Sequence, residues 1–172
     1  RYLILGVLSH QPSTGYDIKK FIEENINCFW DISYGQIYPE LTQLEKSGLL
    51  TKREETNEAG QNRRIFAITP KGREVLREWL LKPTAEEKIK YEILVKVFFG
   101  KEIPVEKSIQ QIENFAQRNL GNIEKMEFFE QELKKGLEES SDHLFFLLTV
   151  LLGKRVYQAQ KEWAEEAIAL LK

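Results

Sequence analysis

The sequence predicts a mainly α-helical chain interrupted once by a β-hairpin. Three observations predict it. Apolar residues recur at helical spacing through most segments. The pattern changes only over "LLTKREE" (Leu49 to Glu55) and "RRIFAIT" (Arg63 to Thr69), which read as strands. Between those two runs lies the polar stretch "TNEAGQN", with the turn residues Asn57, Gly60 and Asn62.

The first element is the apolar run "YLILGVL" (Tyr2 to Leu8), ended by "SHQPSTG". Pro12 and Gly15 punctuate a turn there, and Ser13 or Thr14 can cap the next helix. That helix is "GYDIKKFIEENI", with Ile18, Phe21, Ile22 and Ile26 on one face and Lys19, Lys20, Glu23 and Glu24 elsewhere. A short connection through Cys28, Phe29 and Trp30 leads to the third helix, "SYGQIYPELTQLEKSGLL" (Ser33 to Leu50). The hairpin follows. Thr69-Pro70 then starts a fourth helix, threonine as cap and proline in the first turn, which runs to about Lys82 with Val75, Leu76, Trp79 and Leu80 as its apolar face.

The remainder is predicted to be helical throughout. One helix runs from Ala85 to Gly100, a long one starts at Pro104, and a final one spans about Ser141 to Lys172. In the long helix Ile109, Ile112, Ala116, Ile123, Met126 and Leu133 form a heptad seam, broken by Asn119 and Glu130. About 30 residues at 1.5 Å each reach roughly 45 Å, too long for a small domain to cover. "LFFLLTVLL" (Leu144 to Leu152) is apolar nearly all round, so burial on most sides is expected. One copy lacks the surface to cover these faces, and we expect a homodimer whose interface includes Ile109, Ile112, Ala116, Ile123, Met126, Leu144, Leu148 and Leu151.

Helix, helix, helix, hairpin, helix is the order of a winged helix-turn-helix. We therefore expect residues 1–82 to form a winged helix-turn-helix DNA-binding domain with a two-stranded wing. Residues 83–172 would form an α-helical dimerisation domain. On a helical wheel the third helix places Ile37, Leu41 and Leu44 together as a core stripe. Gly35, Pro39, Thr42 and Lys46 lie opposite, with Gln36 and Gln43 along one edge and Tyr38 on the other. Glutamine can read an adenine edge, and threonine can meet a thymine methyl or a phosphate. Ser33 is a plausible cap, and the start of a helix favours a phosphate. Pro39 would free the Gly35 carbonyl, at a cost. Polar residues opposite an apolar stripe also describe any surface helix, so the neighbouring charge matters. Lys46, Lys52, Arg53, Arg63, Arg64, Lys71, Arg73 and Arg77 make the wing and its flanks locally basic, against Glu54, Glu55, Glu58, Glu74 and Glu78. Arg63-Arg64 beside a hairpin turn suits phosphates or a minor groove. The expected DNA contacts are thus Ser33, Tyr34, Gly35, Gln36, Tyr38, Pro39, Thr42, Gln43, Lys46, Arg53, Arg63 and Arg64.

Composition narrows the class. The chain has 172 residues, 42% hydrophobic and 30% charged, with a formal net charge of −2, a normal mix for a soluble globular protein. A single cysteine, Cys28, makes no internal disulfide and fits a reducing, cytoplasmic setting. There is no signal-peptide pattern, and the apolar run at 144–152 is about half the roughly 20 residues of a membrane span. The chain opens on Arg1, and a few residues are expected upstream of it. Nothing reads as an enzyme. His10 and His143 are far apart in sequence, there is no metal-ligand spacing, and no phosphate loop or nucleophile elbow is present. No cofactor and no metal is expected.

Three stretches carry a resemblance. "YLILGVLSHQPSTGYDIKK" holds Gly15-Tyr16 after a short turn. "SYGQIYPELTQLEKSGLL" holds Ile37-Tyr38-Pro39, Leu41, Leu44-Glu45 and Gly48-Leu49. "RRIFAITPKGREVL" holds Thr69 and Gly72. In that order they resemble the PadR-like family of bacterial transcriptional regulators, with Phe66 standing where the family's strand usually has tyrosine. The helical half, with Trp163 near its end, is similar to the dimerising tail of the larger PadR-like subgroup. The resemblance implies a homodimer on a palindromic operator, usually acting as a repressor. It implies that Tyr38 contacts a phosphate. It also implies a small aromatic effector, since some relatives release DNA when a phenolic acid or another aromatic compound binds near the domain junction. Trp30 and Trp163 are candidates to stack on such a ligand, although plain core is the first reading for each tryptophan. The alternative from another class is a winged-helix protein–protein interaction module without DNA binding. Steep loss of affinity with salt would separate the two.

Overall fold

The structure is a computed structural model, and it describes residues 1–26, 29–30, 34–56, 62–87 and 89–172. Cys28 and Ser33 lie outside the described residues. The chain divides into two compact units, Arg1–Glu86 and Glu87–Lys172.

The first unit is built on α1 (Tyr2–His10), β1 (Ser13–Thr14), α2 (Gly15–Asn25), α3 (Ile37–Lys46), β2 (Leu50–Thr56), β3 (Asn62–Ile68) and α4 (Pro70–Leu80). Its core is closed. Ile4, Leu5 and Leu8 of α1, Ile18 and Ile22 of α2 and Ile37, Leu41 and Leu44 of α3 are all buried together with Leu49, Leu50, Phe66 and Leu76.

Capping chemistry sets the helix starts. Thr14 opens α2 with a capping box: its Oγ1 accepts from the Asp17 N–H at 3.1 Å, and its own N–H donates to the Asp17 carboxylate at 3.2 Å. Thr69 opens α4 by accepting from the Gly72 N–H at 3.0 Å, with Pro70 in the first turn. The stop of α3 is equally specific. Gly48 has φ 70°, its N–H donates to the Glu45 carbonyl, and the Leu49 N–H donates to the Leu44 carbonyl, both at 2.9 Å. That is a Schellman motif, which needs a residue able to take the left-handed conformation. It turns the chain straight into β2. The Thr69 hydroxyl donates to the carbonyls of this turn, Gly48 at 2.9 Å and Leu49 at 3.1 Å, so the base of the hairpin is tied to the end of α3.

Several expectations change. The third helix begins at Ile37, after a 3-10 turn over Tyr34–Gln36. Pro39 is then the third residue of α3, where an N–H has no helical partner anyway, so the expected cost at Gly35 does not arise. The sheet has three strands in the order β1-β3-β2, all antiparallel, with Ser13 opposite Phe66 and Leu50 opposite Ile68. A two-residue strand is too short to show a period in sequence. Leu80 is exposed, and Trp79 stacks on Tyr2 with ring centroids 4.6 Å apart.

The second unit contains α5 (Glu92–Phe98), α6 (Val105–Lys135) and α7 (Ser141–Leu171). The helix expected over 85–100 is only the seven residues of α5. α6 and α7 pack as an antiparallel hairpin. Lys154 reaches Glu127 at 3.2 Å and Glu130 at 3.1 Å, and Trp163 meets Phe115 edge-on at 5.8 Å. The Lys134 and Lys154 ammonium groups hold the Glu130 carboxyl below its usual range.

This pairing corrects the expected dimer seam. Ile112, Ile123 and Met126 are buried within a single copy, as are Phe115 and Asn119, while Ile109 and Ala116 are half-buried. A heptad stripe shows that a partner helix exists; here that partner is α7 of the same chain. The run at 144–152 departs in the opposite sense. Only Leu147 is buried there, Leu151 is half-buried, and Leu144, Phe145, Phe146, Leu148 and Leu152 are exposed.

Candidate nucleic-acid interface

α3 is divided cleanly between core and solvent. Ile37, Leu41 and Leu44 point inward and are at most 2% exposed. Gln36, Tyr38, Pro39, Thr42, Gln43 and Lys46 are exposed, and Gly35 is exposed in the turn just before them. Tyr34 shares that turn by its backbone; its side chain, like Ser33, is not among the described parts. Gln36 caps α3 without a side-chain hydrogen bond, so the expected serine cap is not seen among the described residues.

The exposed residues differ in what they can offer. Tyr38 is 61% exposed. Thr42 donates its hydroxyl proton to the Tyr38 carbonyl at 3.0 Å, which leaves its methyl group and lone pairs for a ligand. Gln43 and Gln36 are exposed, and their amides can make a bidentate contact to a base edge. Lys46 makes no ion pair among the described residues.

The wing stands beside this helix. Tyr16 of α2, Tyr38 and Thr42 of α3, Lys52 of β2 and Arg63 and Arg64 of β3 line one open hollow of about 810 Å³. The strand register brings charges face to face, Glu54 opposite Arg64 and Glu55 opposite Arg63. Of these, Arg64 and Glu54 pair across the strands at 3.6 Å, whereas Arg53 pairs with Glu55 along β2 at 2.9 Å, and Lys52 bridges to Glu45 of α3 at 3.2 Å. Among the described residues Arg63 has no carboxylate partner. The three wing arginines that look equal in sequence therefore differ: Arg53 and Arg64 are paired, and Arg63 has no such pair among the described residues.

Sequence reasoning missed two members of this surface. Tyr16 was visible only as part of a motif, and Gly15 only as turn punctuation, because the contact that matters is made in the folded state: a Cβ there would meet the Tyr38 ring. Of the two tryptophans expected to meet a ligand, Trp30 is exposed in the first unit, whereas Trp163 packs into the core of the second beside Phe115 and Ala164.

With the core, the wing and the outward face of α3 described, the relatives of this chain can be set beside it. The sequence pattern of the transcriptional regulator PadR-like family matches residues 4–78, and that of the virulence activator alpha C-terminal region matches residues 89–172. Residues 4–78 are a PadR-like family domain. The negative transcriptional regulator PadR of Bacillus subtilis is 24% identical over 178 residues, which cover 99% of this chain and 96% of that protein. The crystal structure of that PadR with operator DNA has the same fold, at a TM-score of 0.88 and 22% identity over 99% of this chain and 96% of that one. The same protein is known in complex with p-coumaric acid, at a TM-score of 0.80, 23% identity and the same coverage. The structure of smu.1604c from Streptococcus mutans UA159 is 30% identical with a TM-score of 0.83, covering 98% of this chain and 97% of that one. Among the described residues no helix is long and apolar enough to cross a membrane.

Proposed function

We propose that this chain is a sequence-specific DNA-binding transcriptional repressor that acts as a homodimer on a palindromic operator. The single observation that carries the reading is the division of α3. Its buried stripe is spent on the core, and its outward face holds two amides, a hydroxyl, a phenol and a lysine with little internal work to do. Such groups at the end of a helix-turn-helix are what base edges and phosphates require. The PadR-like domain and the operator complex of Bacillus subtilis PadR support it. Gln36, Thr42 and Gln43 are assigned to base edges, Tyr38, Lys46, Arg63 and Arg64 to phosphates, and Gly35 and Pro39 to close approach. The second unit is assigned to dimerisation through the exposed apolar side chains of α7, Leu144 and Leu148 first. The cytoplasm is the compartment this function requires.

A small aromatic effector that releases the DNA completes the proposal, supported by the p-coumaric acid complex of Bacillus subtilis PadR. Trp30 is the better fluorescent reporter of such a ligand, since it is exposed while Trp163 is engaged in core packing. Effector binding should quench tryptophan emission and weaken DNA binding together, and DNA should weaken effector binding by the same factor.

Selection of bound DNA from a random pool tests the function directly. A palindrome should emerge, with half-site centres about 34–36 Å apart or a multiple of that. Affinity for it should fall steeply with salt. No enrichment, together with salt-insensitive binding to another protein, would overturn the reading in favour of a protein-interaction module.

A further inference from the structure

Gly15 is the first residue of α2, and nothing local asks for glycine there. Among the described residues the glycine with a left-handed backbone is Gly48, not Gly15. Alanine is the better helix former, and a helix start accepts it without strain. The demand comes from α3. A Cβ added at position 15 would stand 2.7 Å from Cε1 of Tyr38, 3.0 Å from Cζ and 3.2 Å from the hydroxyl oxygen. Carbon atoms pack at about 3.5–4.0 Å, so the Tyr38 ring rests on bare backbone and leaves no room for a methyl group. Tyr38 as a whole is 61% exposed.

Gly72 makes the contrast. A Cβ there would collide with the Leu49 carbonyl, which is backbone at the base of the hairpin and cannot move aside. At Gly15 the obstacle is the far end of an exposed side chain, which can move. A methyl group at 72 therefore strains the fold, whereas a methyl group at 15 displaces one phenol from the surface assigned to DNA.

We propose that Gly15 is a positioning residue for DNA binding: the missing Cβ at the start of α2 seats the Tyr38 ring and holds its hydroxyl ready for a phosphate. The proposal rests on the reading of α3 as the recognition helix with Tyr38 as a phosphate donor. A donor held in place before binding loses less rotamer freedom when the complex forms. Without the seat, the ring moves to another rotamer and the hydroxyl leaves its place.

The test uses the full chain and the operator recovered by selection from a random DNA pool. Gly15→Ala, Tyr38→Ala and the double variant are titrated on that DNA and melted. Gly15→Ala should keep or raise Tm and lower affinity roughly tenfold, the lower end of what a hydrogen bond to a charged group is worth. In the Tyr38→Ala background, where the methyl group has room, the same change should move affinity by less than about twofold. A structural role would not show that background dependence. If Gly15→Ala folds poorly, recovery of Tm in the double variant supports the ring collision as the cause. Failure to recover would overturn the proposal. Wild-type affinity in Gly15→Ala with a clear loss in Tyr38→Ala would overturn the seat and leave the DNA reading standing. Wild-type affinity in Tyr38→Ala would remove Tyr38 from the interface, and the seat with it.

Discussion

The two units use their apolar residues in opposite ways. The first gathers thirteen side chains from α1, α2, α3, α4, the sheet and the turn before it into one core and leaves the outward face of α3 polar, although Phe29, Trp30, Leu80 and Leu81 stay exposed. The second has two helices of 31 residues each, yet only Ile93, Ile112, Phe115 and Ala164 form its buried cluster, with Ile123, Met126 and Leu147 buried further along the hairpin. Leu94, Val95, Phe98 and Phe99 of the α5 region and Leu144, Phe145, Leu148 and Leu152 of α7 remain exposed. Burial of such a side chain contributes about 1.5–3 kcal/mol. The first unit is thus a finished fold with a face for a foreign molecule, and the second is a fold that gains stability by meeting another surface.

The sharpest way to break this contrast is to place a charge on each kind of apolar residue. Ile112 is fully buried inside one copy, so Ile112→Lys should unfold the second unit, with a loss of about 4 kcal/mol or more. Leu148 is 55% exposed in one copy, so Leu148→Glu should leave the helical hairpin intact. It should separate the copies, because a dimer interface would bury the charge unpaired at about 3–5 kcal/mol. Circular dichroism and light scattering distinguish the two outcomes. Operator affinity should fall at least about a hundredfold in the Leu148 variant although its DNA face is untouched. A monomeric Leu148→Glu protein with wild-type operator affinity would show that the second unit is not needed for binding.

The next effect is confined to the first unit. Tyr38→Phe removes one hydroxyl and no packing, so Tm should stay the same. DNA affinity should fall by about 1.5–3 kcal/mol, the worth of a hydrogen bond to a charged partner. Filter binding at moderate salt reads it, and unchanged affinity would take the hydroxyl out of the interface. Thr42→Ala and Gln43→Ala should behave differently, shifting which sequence is preferred when selection is repeated, because base contacts specify and phosphate contacts position.

The contrast between the units also explains what the sequence could convey. The stripe of Ile37, Leu41 and Leu44 was legible because a helix against a core repeats every 3.6 residues, and the outward residues followed by subtraction. The hairpin was legible from its two strand-like runs, although the turn residues Asn57 and Gly60 lie outside the described residues, and the caps from their chemistry, Thr69 directly and Thr14 as one of two candidates with Ser13. What escaped was anything decided by the third dimension. β1 is two residues that gain meaning only beside β3. The seam of α6 announced a partner without saying that the partner is α7. Gly15 looked like turn punctuation, because its neighbour across the fold is 23 positions away. In the wing, the sequence showed a basic cluster but not which arginine is already satisfied.

That last distinction supports the smallest and most discriminating predictions. Arg63 has no carboxylate partner among the described residues, whereas Arg64 must leave Glu54, 3.6 Å away, to meet a phosphate. Arg63→Ala should therefore weaken DNA binding more than Arg64→Ala. Each loss should lower the salt slope by about one unit if the side chain neutralises a phosphate. The carboxylate acts in the opposite direction. Both partners of this pair are well exposed, so it is worth only about 0.2–1 kcal/mol. Glu54→Gln removes that competition and a repulsion between Glu54 and the approaching DNA. Affinity should rise by up to about fivefold at low salt, with no change in the preferred sequence. The gain should shrink as salt is raised, since exposed charges are screened over about 10 Å at 0.1 M. A Glu54→Gln protein that bound less tightly would mean that the carboxylate holds Arg64 in its working position, and the wing would then resemble the seat of Tyr38 more than a set of independent charges.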